Sequence, residues 1–183
     1  MNNLLLILSS ASVAAVVSAI ASFIINVIMQ KRKYKNDYYK TIINKRLDAY
    51  QHIETQIQVL KWSVADNDDT KLYCMMFSGD SEWCLDSQKH IKLALSKSLW
   101  LSQNMIDALN QLQKHFFEIE NEITDVPENN IEVGKKWYSI LGEDRNNIED
   151  CLKNDMLSFH DVESFLETKA DRKKVIINIP KHI

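Results

Sequence analysis

The first thirty residues contain no Asp, Glu, Lys, Arg or His. Within them, residues 4–29 read LLLILSSASVAAVVSAIASFIINVIM, 26 uncharged positions in which Asn26 is the only strongly polar side chain. A helix rising about 1.5 Å per residue makes this run about 39 Å long, more than the roughly 30 Å of bilayer hydrocarbon. The segment is therefore read as a transmembrane anchor, residues 1–30, which spans with some tilt or with Ser and Asn at its ends in the headgroups.

The charges around the run set an orientation. No Lys or Arg precedes it, whereas Lys31, Arg32, Lys33, Lys35, Lys40, Lys45 and Arg46 follow, and residues 31–46 sum to +6 with Asp37 included. Basic flanks stay on the cytoplasmic side, which puts the N-terminus out and residues 31–183 inside. A cleaved secretory signal has its positive residues before the apolar run. Here they come after, so the segment reads as retained although Ser18-Ala19-Ile20-Ala21 mimics a cleavage site. A topology signal alone accounts for the basic neck; the further reading is that Lys31, Arg32, Lys33 and Lys35 rest on anionic headgroups. The remaining residues, 47–183, hold 15 Lys and Arg against 24 Asp and Glu, a net of −9. An acidic body of this kind argues against a nucleic-acid partner.

Small residues recur down the anchor at helical spacing. Ala11, Ala15 and Ala19 form one stripe, and Ala14, Ser18 and Ser22 another. Helices in lipid associate through close backbone approach, which such stripes permit, so Ala11, Ala15, Ser18, Ala19 and Ser22 are read as an oligomerisation face. The plainer reading is that Ala and Ser are common in membrane helices. No charged residue lies within the span to line an ion path.

Beyond the anchor, scarcity of punctuation decides the fold class. Three Gly and two Pro are too few for a many-turned β-sandwich or barrel, and they leave no glycine-rich loop to hold a cofactor phosphate. The expectation is an all-α chain whose residues 31–168 form a cytoplasmic three- to four-helix antiparallel bundle, with a basic stalk over 31–65 and a tail over 169–183. Tyr39, Ile43, Tyr50, Ile53, Ile57, Leu60 and Val64 share one face of the stalk helix, with Arg46 a charged intruder. Asp66-Asn67-Asp68-Asp69-Thr70 reads as a polar turn, since the glycine and later glutamate of a calcium loop are missing. Residues 71–80 suggest a short helix. Residues 81–123 show a long helical pattern that kinks or restarts at a Ser102 cap, residues 124–130 with Pro127 form a connection, and a last long helix runs from about 131 to 157.

Three short pieces, Lys45-Arg46-Leu47-Asp48-Ala49-Tyr50, Trp100-Leu101-Ser102 and Phe159-His160-Asp161-Val162-Glu163-Ser164-Phe165, resemble a loose group of small uncharacterised bacterial proteins of prophage or genomic-island type. In that group one N-terminal membrane helix precedes a helical cytoplasmic body. The resemblance implies a bacterial inner-membrane protein and a setting in phage defence or mobile elements; it implies no reaction, cofactor or catalytic residue.

Other constellations bear on chemistry. Arg46-x5-His52 fits the spacing of HEPN-type ribonucleases, in which Arg46 would steady a phosphate oxyanion while His52 exchanges a proton. With 4 Arg and 5 His in the chain, such a match arises by chance in roughly one sequence in three. Cys74, Cys84 and Cys151 are odd in number, lack a C-x-x-C pair, and read as buried thiols in a reducing compartment. Glu118, Glu120, Glu122 and Asp125 read as a solvated acidic face, and Trp62, Trp83, Trp100 and Trp137 as core or bundle-edge packing. The functional expectation is a non-enzymatic membrane-tethered scaffold or effector, without metal or cofactor, that self-associates and recruits or senses a cytoplasmic protein. A membrane-anchored ribonuclease and a bilayer-perturbing oligomer are the alternatives.

Overall fold

The computed structural model describes residues 2–65 and 71–170, with the side chains of 2–12 and 170 outside the description. The Asp66-Asn67-Asp68-Asp69-Thr70 turn and the tail beyond Ala170 also lie outside the described residues. The chain is mostly helical, and its order is α1 (Asn2–Lys61), β1 (Ser63–Ala65), β2 (Leu72–Cys74), α2 (Ser81–Asp86), α3 (Lys89–Ser96), α4 (Gln103–Glu120), α5 (Pro127–Leu157) and α6 (Val162–Ala170). Two compact units divide it, the first ending at Ile42 and the second starting at Ile43.

The first unit is helix α1 up to Ile42. Its large apolar side chains from Val13 to Met29 are open to the surroundings, with Val16 at 59 %, Phe23 at 69 % and Ile25 at 58 % exposure, while Ile42 at its end is buried.

In the second unit α1 buries Ala49, Tyr50, Ile53, Ile57 and Leu60, four of which stand on the face expected from their spacing. That face ends early. Helix α1 stops at Lys61, and Val64, expected on the same helix, lies in β1 opposite Tyr73 of β2. The pair of short antiparallel strands corrects the short-helix reading of residues 71–80: Leu72 is exposed while Tyr73 and Cys74 are buried, a pairing closed by the Met75 N–H donating to the Trp62 carbonyl at 2.7 Å. A 3-10 turn over Met75–Ser78 then buries Met76 and Phe77.

The helical pattern of residues 81–123 resolves into α2, α3 and α4, and Ser102 is the cap at which the last begins, its Oγ accepting from the Met105 N–H at 3.1 Å. Helix α4 buries Met105, Leu109, Leu112, Phe116 and Ile119 at spacings of three, four and seven. Helix α5 starts four residues before the expected position, because Pro127 occupies the first turn, where its missing N–H costs nothing. Buried Asn130 secures that entry by donating to the carbonyls of Thr124 (2.8 Å) and Gly79 (3.0 Å). Pairs along α4 and α5 run in opposite order, Glu122 with Lys136 and His115 with Asp144, and Tyr50 and Lys61 of α1 meet Asp155 and Glu149 of α5 in the same reversed sense.

Two glycines of α5 have opposite surroundings. A Cβ on Gly134 would lie 2.7 Å from the Phe77 ring, which is fully buried, whereas one on Gly142 would meet nothing within 4 Å. Gly134→Ala should destabilise the second unit by about 1–3 kcal/mol through overpacking. Gly142→Ala should stabilise it by about 0.5–1 kcal/mol through helix propensity. Denaturant unfolding followed by near-ultraviolet circular dichroism separates the two, and equal shifts for both variants would refute this packing.

Candidate functional site

Arg46 sits one turn before Tyr50 on the buried face of α1, and only 2 % of its surface is exposed. Its guanidinium carbon lies 4.1 Å from the centre of the Phe165 ring and 4.5 Å from that of Phe159, with Tyr50 at 6.0 Å. Nη1 donates to the Phe159 carbonyl at 3.2 Å, while Nε has no partner among the described residues. A cation excluded from water is tolerable here because π-faces and a carbonyl replace its hydration. Beside it the Tyr50 hydroxyl donates to Oδ2 of buried Asp155, and burial followed by this carboxylate pushes the Tyr50 phenol above its ordinary pKa. A cavity of about 140 Å³ opens next to this cluster, lined by Arg46, Ser102, Asp155, Asp161, Phe165 and Lys169 among others. Arg46 therefore joins α1 to the end of α5 and to α6, and the three sequence pieces quoted for the resemblance converge on it: Arg46 and Tyr50 from the first, Ser102 from the second, Phe159 and Phe165 from the third.

His52 has different company. Lys97 of the turn after α3 donates to His52 Nε2 at 2.9 Å and to Asp48 Oδ2 at 2.7 Å, and the His90 ring lies 5.8 Å away. Burial first, then Lys97 and His90, hold the His52 pKa below its ordinary value, with Asp48 opposing. Arg46 and His52 thus share no partner. The arginine is enclosed by aromatic rings, and the histidine faces the Lys97 ammonium group.

The other residues singled out in the sequence are distributed as follows. Lys31, Arg32, Lys33 and Lys35 are exposed along α1, Lys35 lying over the Tyr39 ring at 5.2 Å. Ala15, Ser18, Ala19 and Ser22 are exposed, and the Ala11 side chain lies outside the described residues. Cys74 and Cys84 are buried free thiols, burial pushing them up to about 11 and about 12, and Cys151 is half-buried. Among the described residues no group of three or more His, Cys, Asp and Glu side chains is arranged to hold a metal. Glu122 pairs with Lys136, and Asp125 accepts from Ser81 Oγ at 2.5 Å.

Two features escaped the sequence reading. His115 Nδ1 contacts Asp144 Oδ2 at 2.5 Å inside the α4–α5 seam, with the Trp137 ring tilted against the imidazole at 5.7 Å; burial raises the Asp144 carboxyl against the lowering effect of His115. The only sequence signal was a His and an Asp on two apolar-faced helices. The second feature is that Trp62 and Trp83 are 61 % and 48 % exposed, whereas Trp137 alone of the four is fully core. Compared with protein-family models, curated proteins and solved structures, the chain matches none.

Two outcomes follow from this geometry. Arg46→Met should lower the stability of the second unit by about 3 kcal/mol, from lost cation–π contacts and the polar partners left behind. It should also open the chain to proteolysis around α6, and an unchanged melting curve and digestion pattern would contradict the junction. His52 takes up a proton more readily unfolded than folded, so stability should fall as pH drops below about 6.5, the histidine's ordinary value. His52→Gln should flatten that slope in melting curves between pH 7.5 and 5.5, and a slope equal to that of the unaltered protein would exclude His52 as its source.

Proposed function

We propose that the chain is a single-pass membrane protein whose helical domain acts by binding rather than turnover: a tethered scaffold or effector that self-associates and recruits or senses a cytoplasmic protein. The carrying observation is the described part of α1 before the basic neck. It combines a mean hydropathy of 2.1 in its most apolar window with 0 % of that window buried. A helix apolar on every side, with no protein cover, has lipid as its natural solvent. The basic residues that follow favour a cytoplasmic location for residues 31–183, and the reversed pairings of α1, α4 and α5 support an antiparallel three- to four-helix bundle as the binding body. The exposed stripe of Ala15, Ser18, Ala19 and Ser22 is the surface for self-association. Lys31, Arg32, Lys33 and Lys35 stand where anionic headgroups would meet them. The bacterial inner membrane and a phage-defence setting come from the resemblance alone. Arg46 and His52 meet different partners, and the scaffold reading is preferred to the membrane-anchored ribonuclease because the body is acidic.

Full-length protein should stay in the membrane pellet after alkaline carbonate, and a reporter fused at the C-terminus should be active only in the cytoplasm. Replacing Ala15 and Ser18 with Leu should weaken self-association at least fivefold in crosslinking without releasing the protein. Recovery in the soluble fraction, or a C-terminal reporter active only in the periplasm, would end the proposal.

A further inference from the structure

An exposed tryptophan, Trp62, follows directly on the end of helix α1, and a second one is placed close to it by a later part of the chain. Trp62, Met75 and Trp83, which are 61 %, 38 % and 48 % exposed, line one cavity of about 210 Å³ with Val59, Met76 and Asp86, and His90 closes one end. Trp83 is fixed by local devices. A Cβ on Gly79 would lie 2.2 Å from its Cε3, so the indole packs against a residue without a side chain, and its backbone N–H donates to Asp80 Oδ1 at 2.9 Å. Asn130 of α5 in turn holds the Gly79 carbonyl at 3.0 Å. An indole ordered this firmly yet half in solvent contributes little to the core and has already lost the freedom a binding contact would remove. Its far side is acidic: Asp80, Glu82, Trp83 and Asp86 line an adjoining open cavity. Neither Glu82 nor Asp86 has an ion-pair partner among the described residues.

We propose that this groove docks a short peptide segment of a partner protein in which a Lys or Arg stands beside a large apolar residue. The inference rests on the reading of the domain as a recruiting module and names the chemistry of what it recruits. Trp62, Met75 and the floor of Val59 and Met76 receive the apolar side chain, methionine adapting to its shape. The cationic group lies against the Trp83 face with Glu82 and Asp86 around it, where ring quadrupole and carboxylates attract it together. Charge complementarity selects this occupant: three carboxylates repel anionic headgroups and nucleic acid, and the net −9 of residues 47–183 extends the same field. About 210 Å³ accommodates one or two side chains, the scale of a linear segment and not of a domain face.

The test is selection of a random peptide library on the full-length protein in lipid nanodiscs. Enriched peptides should carry Lys or Arg within two residues of a large apolar residue. Their binding should weaken at least tenfold with Trp83→Ala and with Asp86→Lys, and changing the peptide's basic residue to Glu should restore binding to Asp86→Lys. Trp62→Ser serves as a second exposed variant, and near-ultraviolet circular dichroism confirms that each variant is folded. No enrichment over empty nanodiscs, peptides without the basic residue, or affinities indifferent to all three substitutions would overturn the proposal. It would also be overturned if Trp83→Ala altered only binding to anionic vesicles or only self-association, since the groove would then belong to lipid or to a second copy. Failure to enter nanodiscs refutes the anchor instead, and the same selection on the full chain in detergent then reads the groove by itself.

Discussion

A guanidinium withdrawn from water has to be solvated by protein, and the way Arg46 meets that demand organises the second unit. Its partners come from segments more than a hundred residues away: the Phe159 carbonyl and ring and the Phe165 ring. Without them the charge would be buried unpaired, which costs several kcal/mol. The first helix can bury its face against α5 only if the chain after α5 turns back over it, and the turn at residues 158–161 does that by presenting Phe159 inward and starting α6 at Val162. Tyr50 and Asp155 add a hydrogen bond one turn along the same contact. Position in the fold and charge are thereby coupled, since a slip of α1 by one residue would swing Arg46 away from both rings.

Elsewhere the core is held by ordinary helical packing. Met105, Leu109, Leu112, Phe116 and Ile119 of α4 and Trp137, Leu141 and Ile148 of α5 share one apolar seam. The polar pair inside it, His115 with Asp144, satisfies two groups that would otherwise be stranded at low dielectric. The scarce glycines stand where helices or turns meet bulky rings, Gly134 beneath Phe77 and Gly79 beneath Trp83. Those two mark close approaches that a side chain would obstruct, whereas Gly142 has open space around it.

Much of this was legible from spacing. The apolar faces of α4 and α5, the Ser102 cap and the C-terminal limit of α5 near Leu157 follow from periodicity and capping chemistry, both local properties of the chain. The hairpin was not legible, because three-residue strands give no period to count and Val64 satisfied the helical pattern as well as the extended one. Nor was the role of Arg46: a charged residue on an apolar face reads as an intruder until the distant Phe159 and Phe165 are brought to it. Which tryptophans stand at an edge was not legible either, since composition favours burying an indole and only tertiary structure shows which ones stay outside. His115 and Asp144 lie 29 positions apart on separate helices, so no spacing rule pairs them.

Two of the apolar surfaces exposed among the described residues have different rims. On α1 the exposed Val, Ile and Phe side chains of residues 13–29 have only Ala, Ser, Asn and Met among them, and charge begins abruptly at Lys31. Hydrocarbon accepts such a surface, with the cationic collar left for the polar interface. The Trp62–Trp83 groove is instead bordered by carboxylates, Asp86 lining it and Asp80 and Glu82 lining the cavity that shares Trp83. Placing that border in lipid would require desolvating two or three acids with no cation supplied in return. A segment that brings its own positive charge meets the same border at a gain. On the proposed reading, the sign of the surrounding charge, more than the amount of apolar area, therefore separates a surface suited to a bilayer from one suited to a peptide.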